Sequence, residues 1–241
     1  MAEPVRLALP AHIVQHGFED AALAAALAER VGEVLRAALR ARPRATLVVS
    51  GGRSPRAFLG ALARRALDWP RVSVTLADER WLPPSHADSN AGMVRAALLR
   101  EAAAGADFVP LYGGEATPEA GAAACIARLA RLPRPFDAVV LGMGEDGHTA
   151  SLFAGSAALP GLLADTAPPA AAVQPPNAPH ARMSLSLPAL LDARTVFIQI
   201  GGAGKRAVIE ADAQADPLQM PVAAVLRQRR TPVEVFYDGS R

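Results

Sequence analysis

The sequence predicts an α/β fold, a mostly parallel sheet covered by helices on both faces. Three observations carry this expectation. Segments of strand and helix character alternate along nearly the whole of the 241 residues. Several strand candidates, among them ATLVVS at 45–50 and FDAVVLG at 136–142, are apolar on both faces, as strands sandwiched between helices are. No linker or composition break interrupts the pattern, so residues 1–241 read as a single domain without internal repeats.

Taken in order, VRLAL at 5–9 reads as a short first strand. From about Phe18 to Ala41, Leu23, Leu27, Val31, Leu35 and Leu39 recur every fourth residue and give a helix with one apolar face, which Pro43 closes. ATLVVS leads into Gly51–Gly52 and then a helix over SPRAFLGALARRAL, with Ser54 as its N-cap and Pro55 in its first turn. VSVTLAD at 72–78 is the next strand. ERWLPPSHAD is a proline-bearing loop, and Asp88 or Ser89 caps the helix NAGMVRAALLR. A helix around 118–131 carries Cys125 and returns through PRP to the strand FDAVVLG. GMGEDGHTASLF at 142–153 reads as a glycine turn running into a helix, and the Pro/Ala-rich stretch 154–180 as surface loop with a short strand near AAAVQ. RMSLSLP at 182–188 alternates apolar and polar residues, which suits a strand with one wet face. TVFIQIGG, GKRAVIEADAQA and TPVEVFY complete a strand–helix–strand ending.

Half of the residues are apolar and a fifth are charged, a globular balance. No apolar run approaches the ~20 residues of a membrane span, and the first residues lack the pattern of a secretory signal. With one cysteine there is no internal disulfide, which points to a reducing, cytoplasmic setting. The net charge of +2 is dispersed, Arg227 to Arg230 is a short cluster, and aromatics are few, so no nucleic-acid partner is expected. An anionic small molecule fits this balance. Lys205 is the only lysine beside 24 arginines, a compact and adjustable point charge where arginine is otherwise the rule.

In open parallel sheets, ligands lie beyond the carboxyl ends of the strands. Four strand candidates end there in unusual residues: SGGRSP, DERWLP, GMGEDGH and GGAGK. SGGRSP has the form of a phosphate cradle, with glycines that let backbone approach an anion at a helix start. No Walker A spacing occurs in the chain. Gly142, Gly144 and Gly147 fit G-x-G-x-x-G, yet the motif falls late in the chain, no acid-ended strand follows about 20 residues on, and Glu145 and Asp146 would repel a pyrophosphate. The turn therefore reads as a holder for His148, which a helix N-terminus would keep neutral and able to take a proton. Asp78, Glu79 and Arg80 place three charges at the end of an apolar strand.

Together these segments resemble the 6-phosphogluconolactonases, within the group that includes the glucosamine-6-phosphate deaminases. The resemblance rests on SGGRSPRAF, LADERWLPPSHADSNAGMVRAALL, FDAVVLGMGEDGHTASLF, RMSLSLPALLDAR and GGAGKRAV, in that order. The deaminases typically carry Asp-Glu-Tyr where Asp78–Glu79–Arg80 stands, and a different run in place of Thr149 to Phe153, so the lactonase is favoured. Arg53, Ala154 and Ser184 depart from the usual lactonase pattern. The resemblance implies a Rossmann-like three-layer fold and hydrolysis of 6-phospho-D-glucono-1,5-lactone in the oxidative pentose phosphate pathway. His148 would be general base and then acid, Asp78 or Asp146 would orient it or the substrate, and Arg80 would stabilise developing charge. Gly51, Gly52, Ser54, Arg182 and Lys205 would hold the phosphate. No metal or other cofactor is needed, and the five histidines show no paired ligand spacing. The chain is expected to act as a monomer or homodimer on a small sugar phosphate. An aminosugar-phosphate isomerase or deaminase, and a sugar-phosphate sensor without turnover, are the alternatives.

Overall fold

The computed structural model describes residues 6–18, 20–201 and 203–238. The chain runs from β1 (Val14–Phe18) through α1 (Asp20–Ala41), β2 (Ala45–Val49), α2 (Pro55–Ala63), β3 (Val72–Leu76), β4 (Asp78–Arg80), α3 (Asn90–Ala97) and β5 (Asp107–Phe108). It continues with α4 (Pro118–Leu129), β6 (Ala138–Gly142), α5 (Leu159–Leu163), β7 (Ala170–Val173), β8 (Arg182–Leu185) and α6 (Leu187–Leu191). The last elements are β9 (Val196–Ile200), α7 (Ala203–Asp212), α8 (Val222–Arg227) and β10 (Val233–Asp238).

Seven strands form a parallel sheet in the order β1-β10-β9-β6-β2-β3-β5. Every residue of β2, β3 and β9 is buried, which requires cover on both faces, and flanking helices supply it. The apolar face of α1 is the one its spacing predicts: Leu23, Leu27, Val31, Leu35 and Leu39 are all buried. Each such leucine stabilises the fold by ~1.5–3 kcal/mol through removal from water.

The strand order explains where a ligand can enter. From β2 the chain moves outward through β3 to β5, then returns to lay β6 on the other side of β2 and moves outward again through β9 and β10. Connections leave β2 and β6 in opposite directions, and a crevice opens between their carboxyl ends.

A second sheet, antiparallel in the order β4-β8-β7, lies outside this pattern. It was not expected, because three charged residues show no strand periodicity. Asp78–Arg80 do not close β3. After Ala77 they start a new strand whose partner is β8, with Asp78 opposite Ser184, Glu79 opposite Met183 and Arg80 opposite Arg182. Flanked by β4 and β7, β8 is buried throughout and has no wet face; its alternation reflects buried serine hydroxyls.

Two further expectations are corrected. Residues 6–9 are not a strand. The Leu7 N–H and carbonyl are taken by the Gln15 side chain, at 3.0 and 3.2 Å, so this backbone is satisfied without a ladder; the sheet edge is β1 instead. The second concerns His148: no helix begins there. The chain after Gly147 makes tight turns, with Ala150 at φ 49°, and the next helix is α5. No helix N-terminus therefore acts on the imidazole.

Candidate active site

Three arms of the crevice follow the ends of β2, β6 and β9, and the small sheet supplies the fourth. After β2, Ser50 and Gly51 run under the side chain of Asn90, the first residue of α3. A methyl group on Gly51 would stand 1.8 Å from Asn90 Oδ1, so only glycine permits this approach. Gly52 follows at φ 99°, in the left-handed region, and α2 begins three residues later. Ser54 precedes α2 but makes no capping hydrogen bond, contrary to expectation: its own backbone is helical, which turns the hydroxyl away from the free N–H groups. Ser54 and the N-terminal end of α2 line the crevice with the glycine loop.

The Asp78–Glu79–Arg80 strand separates into three roles. Asp78, 5% exposed, accepts the Ser151 hydroxyl at 2.6 Å, lies 3.6 Å from Arg182 Nη1, and takes Asn90 Nδ2 on its carbonyl at 2.9 Å. Glu79 is fully buried and turned away from the crevice. It accepts the N–H groups of Asn90 and Ala91, both at 2.7 Å, that of Arg80 at 2.8 Å, and the Ser89 hydroxyl at 3.2 Å. Ser89 meanwhile caps α3 by accepting Gly92 N–H. Arg80 donates to the Asp88 carbonyl at 2.6 Å. Burial pulls the Arg182 guanidinium down from its ordinary value while Asp78 holds it up, and it remains a cation.

His148 sits in the turn after β6. Its Nδ1 is 2.5 Å from Asp146 Oδ1, and its ring lies 4.4 Å from that of Phe153. A methyl group on Gly144 would come within 2.1 Å of Nδ1, so this glycine makes room for the ring. The Thr149 hydroxyl ties the turn back to the Gly142 carbonyl at 2.9 Å. The hydrogen bond to His148 holds the Asp146 carboxyl below its usual range. A carboxylate only accepts, so Nδ1 carries the proton of this pair, and in the neutral ring Nε2 is the acceptor.

These parts meet in one cleft of about 240 Å³. Gly51, Gly52, Ser54, Asp78, Arg80, His148, Arg182 and Lys205 all line it, while Asp146 stands behind His148. Arg53, Arg80, Arg182 and Lys205 supply four cations against the single carboxylate of Asp78, so the cleft favours an anion. Of six buried side-chain polar atoms lacking a protein partner among the described residues, four belong to its walls: Ser50 Oγ, Arg80 Nε, Arg182 Nε and Gln199 Oε1. Such atoms cost stability unless something polar meets them, which suits a ligand with many hydroxyls. Larger hollows exist at the opposite ends of the strands: the one around Asp137 is lined by five arginines with Glu33 and Asp137, and neither it nor the one around Ser73 is lined by a histidine or a glycine loop.

Sequence reasoning missed Asn90, Ser151, Ser50 and Gln199. A glutamine inside the apolar strand VFIQI was a signal for the last, because a buried polar side chain demands a partner. Asn90 and Ser151 act only through contacts that the chain makes at a distance. Cys125 is packed core as expected, with its thiol pushed up to about 11 by burial. Among the described residues no three His, Cys, Asp or Glu side chains converge as a metal would require, and no helix is long and apolar enough to cross a membrane.

Comparison with known proteins agrees with this geometry. Residues 19–234 match the family described as glucosamine-6-phosphate isomerases/6-phosphogluconolactonase. The chain is 44% identical to the 6-phosphogluconolactonase of Rhizobium meliloti, over 92% of this chain and 97% of that protein. It is 47% identical to that of Pseudomonas aeruginosa, over 92% and 94%. A crystal structure of a 6-phosphogluconolactonase from Shewanella baltica superposes with a TM-score of 0.93 at 40% identity, covering 95% of this chain and 99% of that one. A monomeric glucosamine-6-phosphate deaminase, 16% identical with a TM-score of 0.76, shares the fold. A cation-lined cleft at the switch point, a histidine held by an aspartate, and these relatives along nearly the whole length agree: the chain belongs to the glucosamine-6-phosphate isomerase/6-phosphogluconolactonase family.

Proposed function

We propose that this chain hydrolyses 6-phospho-D-glucono-1,5-lactone to 6-phosphogluconate, in the cytoplasm and as part of the oxidative pentose phosphate pathway. Curated relatives at 40–47% identity over some nine-tenths of the chain carry the name 6-phosphogluconolactonase, which supports this reaction over the deaminase. The observation that carries the reading is the His148–Asp146 pair at the wall of a cleft lined by four cations.

The chemistry follows from the groups in place. His148 Nε2 takes a proton from water as its oxygen attacks the lactone carbonyl carbon, and Asp146 holds the imidazole for that transfer. Arg80, with its unpartnered Nε, stabilises the carbonyl oxygen as it becomes anionic. Collapse of the tetrahedral adduct breaks the bond to the ring oxygen, and His148 returns the proton there, giving the open-chain acid. Asp78 is committed to Ser151, Asn90 and Arg182, so it orients the binding wall rather than the imidazole. The phosphate is held by Lys205, the Gly51–Gly52 backbone, Ser54 and Arg182, at the N-terminal end of α2. The protein works as a monomer or homodimer, without a metal, another cofactor or a nucleic-acid partner.

The test is direct. The lactone is generated with glucose-6-phosphate dehydrogenase and its hydrolysis followed at slightly acidic pH, where the spontaneous reaction is slow. The purified chain should accelerate hydrolysis well above buffer. Ammonia release from glucosamine 6-phosphate without lactone hydrolysis would establish the deaminase instead, and tight 6-phosphogluconate binding with no acceleration would establish a sensor.

A further inference from the structure

Gly142 and Gln199 are direct partners in the parallel pairing of β6 with β9, so the side-chain direction of one is that of the other. Both line the cleft. Gly142 is unusual among the glycines of the site. Its φ is not in the left-handed region, and a methyl group there would meet no protein atom within 4 Å. Neither conformation nor packing accounts for a glycine at this position, in contrast to Gly51, Gly52 and Gly144. Beside it, Gln199 is 8% exposed and donates Nε2 to the Ser54 carbonyl at 3.3 Å. That carbonyl can only accept, which fixes the amide's orientation and turns Oε1 away without a protein partner. In a cleft whose charged groups are mostly donors, Oε1 is a buried neutral acceptor without a protein partner.

We propose that Gly142 and Gln199 form a floor that reads the hydroxyl-bearing part of the substrate, with Gln199 Oε1 accepting a sugar hydroxyl and Gly142 leaving the carbon skeleton room to lie against the sheet edge. The pair selects a polyhydroxylated phosphate ester over a bare phosphate. This rests on the lactonase reading for the identity of the ligand, but its own evidence is the empty space at one residue and the unpaired acceptor at the next.

Gly142→Ala and Gln199→Met test it by calorimetry with 6-phosphogluconate and with inorganic phosphate, alongside thermal melting. Gly142→Ala is expected to melt no lower than the parent, since alanine suits a strand better than glycine, yet to bind 6-phosphogluconate about tenfold or more weakly. Gln199→Met is expected to weaken it about five- to tenfold. Inorganic phosphate should bind both variants within roughly twofold of the parent, because its subsite is the glycine loop and Lys205. Unchanged 6-phosphogluconate binding in Gly142→Ala would overturn the floor. So would equal losses for both ligands in Gln199→Met, which would reduce that residue to a latch on Ser54. A parent chain that binds 6-phosphogluconate without hydrolysing the lactone would sink the enzymatic reading and leave the floor standing; a parent that binds none would overturn both.

Discussion

Asp146 stands two residues before His148, and the short turn between them lets its Oδ1 meet Nδ1 at 2.5 Å. The carboxylate side chain is 65% exposed, so water competes for it, and it contributes less than a buried partner would. Asp146→Asn should lower kcat by ~10–10²-fold with little change in KM, because the amide no longer selects the tautomer that leaves Nε2 free. Steady-state kinetics on the folded variant check this, and an unchanged kcat would remove Asp146 from the mechanism. In the proposed reading Lys205 holds the phosphate and takes no part at the reacting carbonyl. Lys205→Ala should raise KM for the phosphorylated lactone by ~10–10²-fold and leave unphosphorylated gluconolactone nearly unaffected. Equal losses on both substrates would contradict a phosphate role.

Between β4 and α3 the fold depends on one carboxylate. Glu79 gathers the first N–H groups of α3, the Ser89 hydroxyl and its own strand's next N–H, and so sets Asp78, Arg80 and Asn90 relative to each other. Burial pushes its carboxyl up to about 7, although the N–H groups of Ala91, Asn90 and Arg80 pull the other way. The folded state therefore holds this proton more firmly than the unfolded chain. The stability it confers is complete below the ordinary value near 4.5 and is lost as pH rises through about 7. Urea unfolding at pH 5 and pH 8 should show Glu79→Gln with a flatter pH slope than the parent, and a cost at pH 8 of about 1–3 kcal/mol from an amide nitrogen facing N–H donors. Identical slopes would show that Glu79 does not titrate in this way. The centre of the parallel sheet was legible because β2, β3, β6 and β9 are short apolar runs between helical stretches, whereas the edge strand β1, VQHGF, carries no such pattern. The sheet containing Glu79 was not, because a three-residue charged strand is defined by its partner, Arg182 to Ser184, a hundred residues away. The placing of His148 before a helix failed for a related reason: Thr149 to Phe153 are apolar enough to suggest one, but the backbone is held by Gly142 and by the close turn from Gly144 to His148.

Across the whole molecule, the order of the strands and the small sheet bring four separate sequence motifs into one site. Ser50–Gly52 and Gly142–His148 flank the switch point, β9 brings Gln199, α7 brings Lys205, and the small sheet delivers Arg80 and Arg182. The motifs could be read from the sequence and their convergence argued from strand ends; Asn90 and Ser151, which act through contacts between distant parts of the chain, could not, and Gln199 was signalled only as a polar residue inside an apolar strand. Although the net charge is only +2, the cleft concentrates positive charge, and its field should draw in a dianion. Raising salt from ~0.02 to ~0.5 M should increase KM for the phosphorylated lactone several-fold and leave kcat nearly constant; a flat KM would deny the cleft that attraction. The most direct measurement is lactone turnover by His148→Ala, with circular dichroism confirming its fold. Turnover at least ~10²-fold below the parent, with 6-phosphogluconate still bound, is the predicted result. Parental turnover in the folded variant would contradict it.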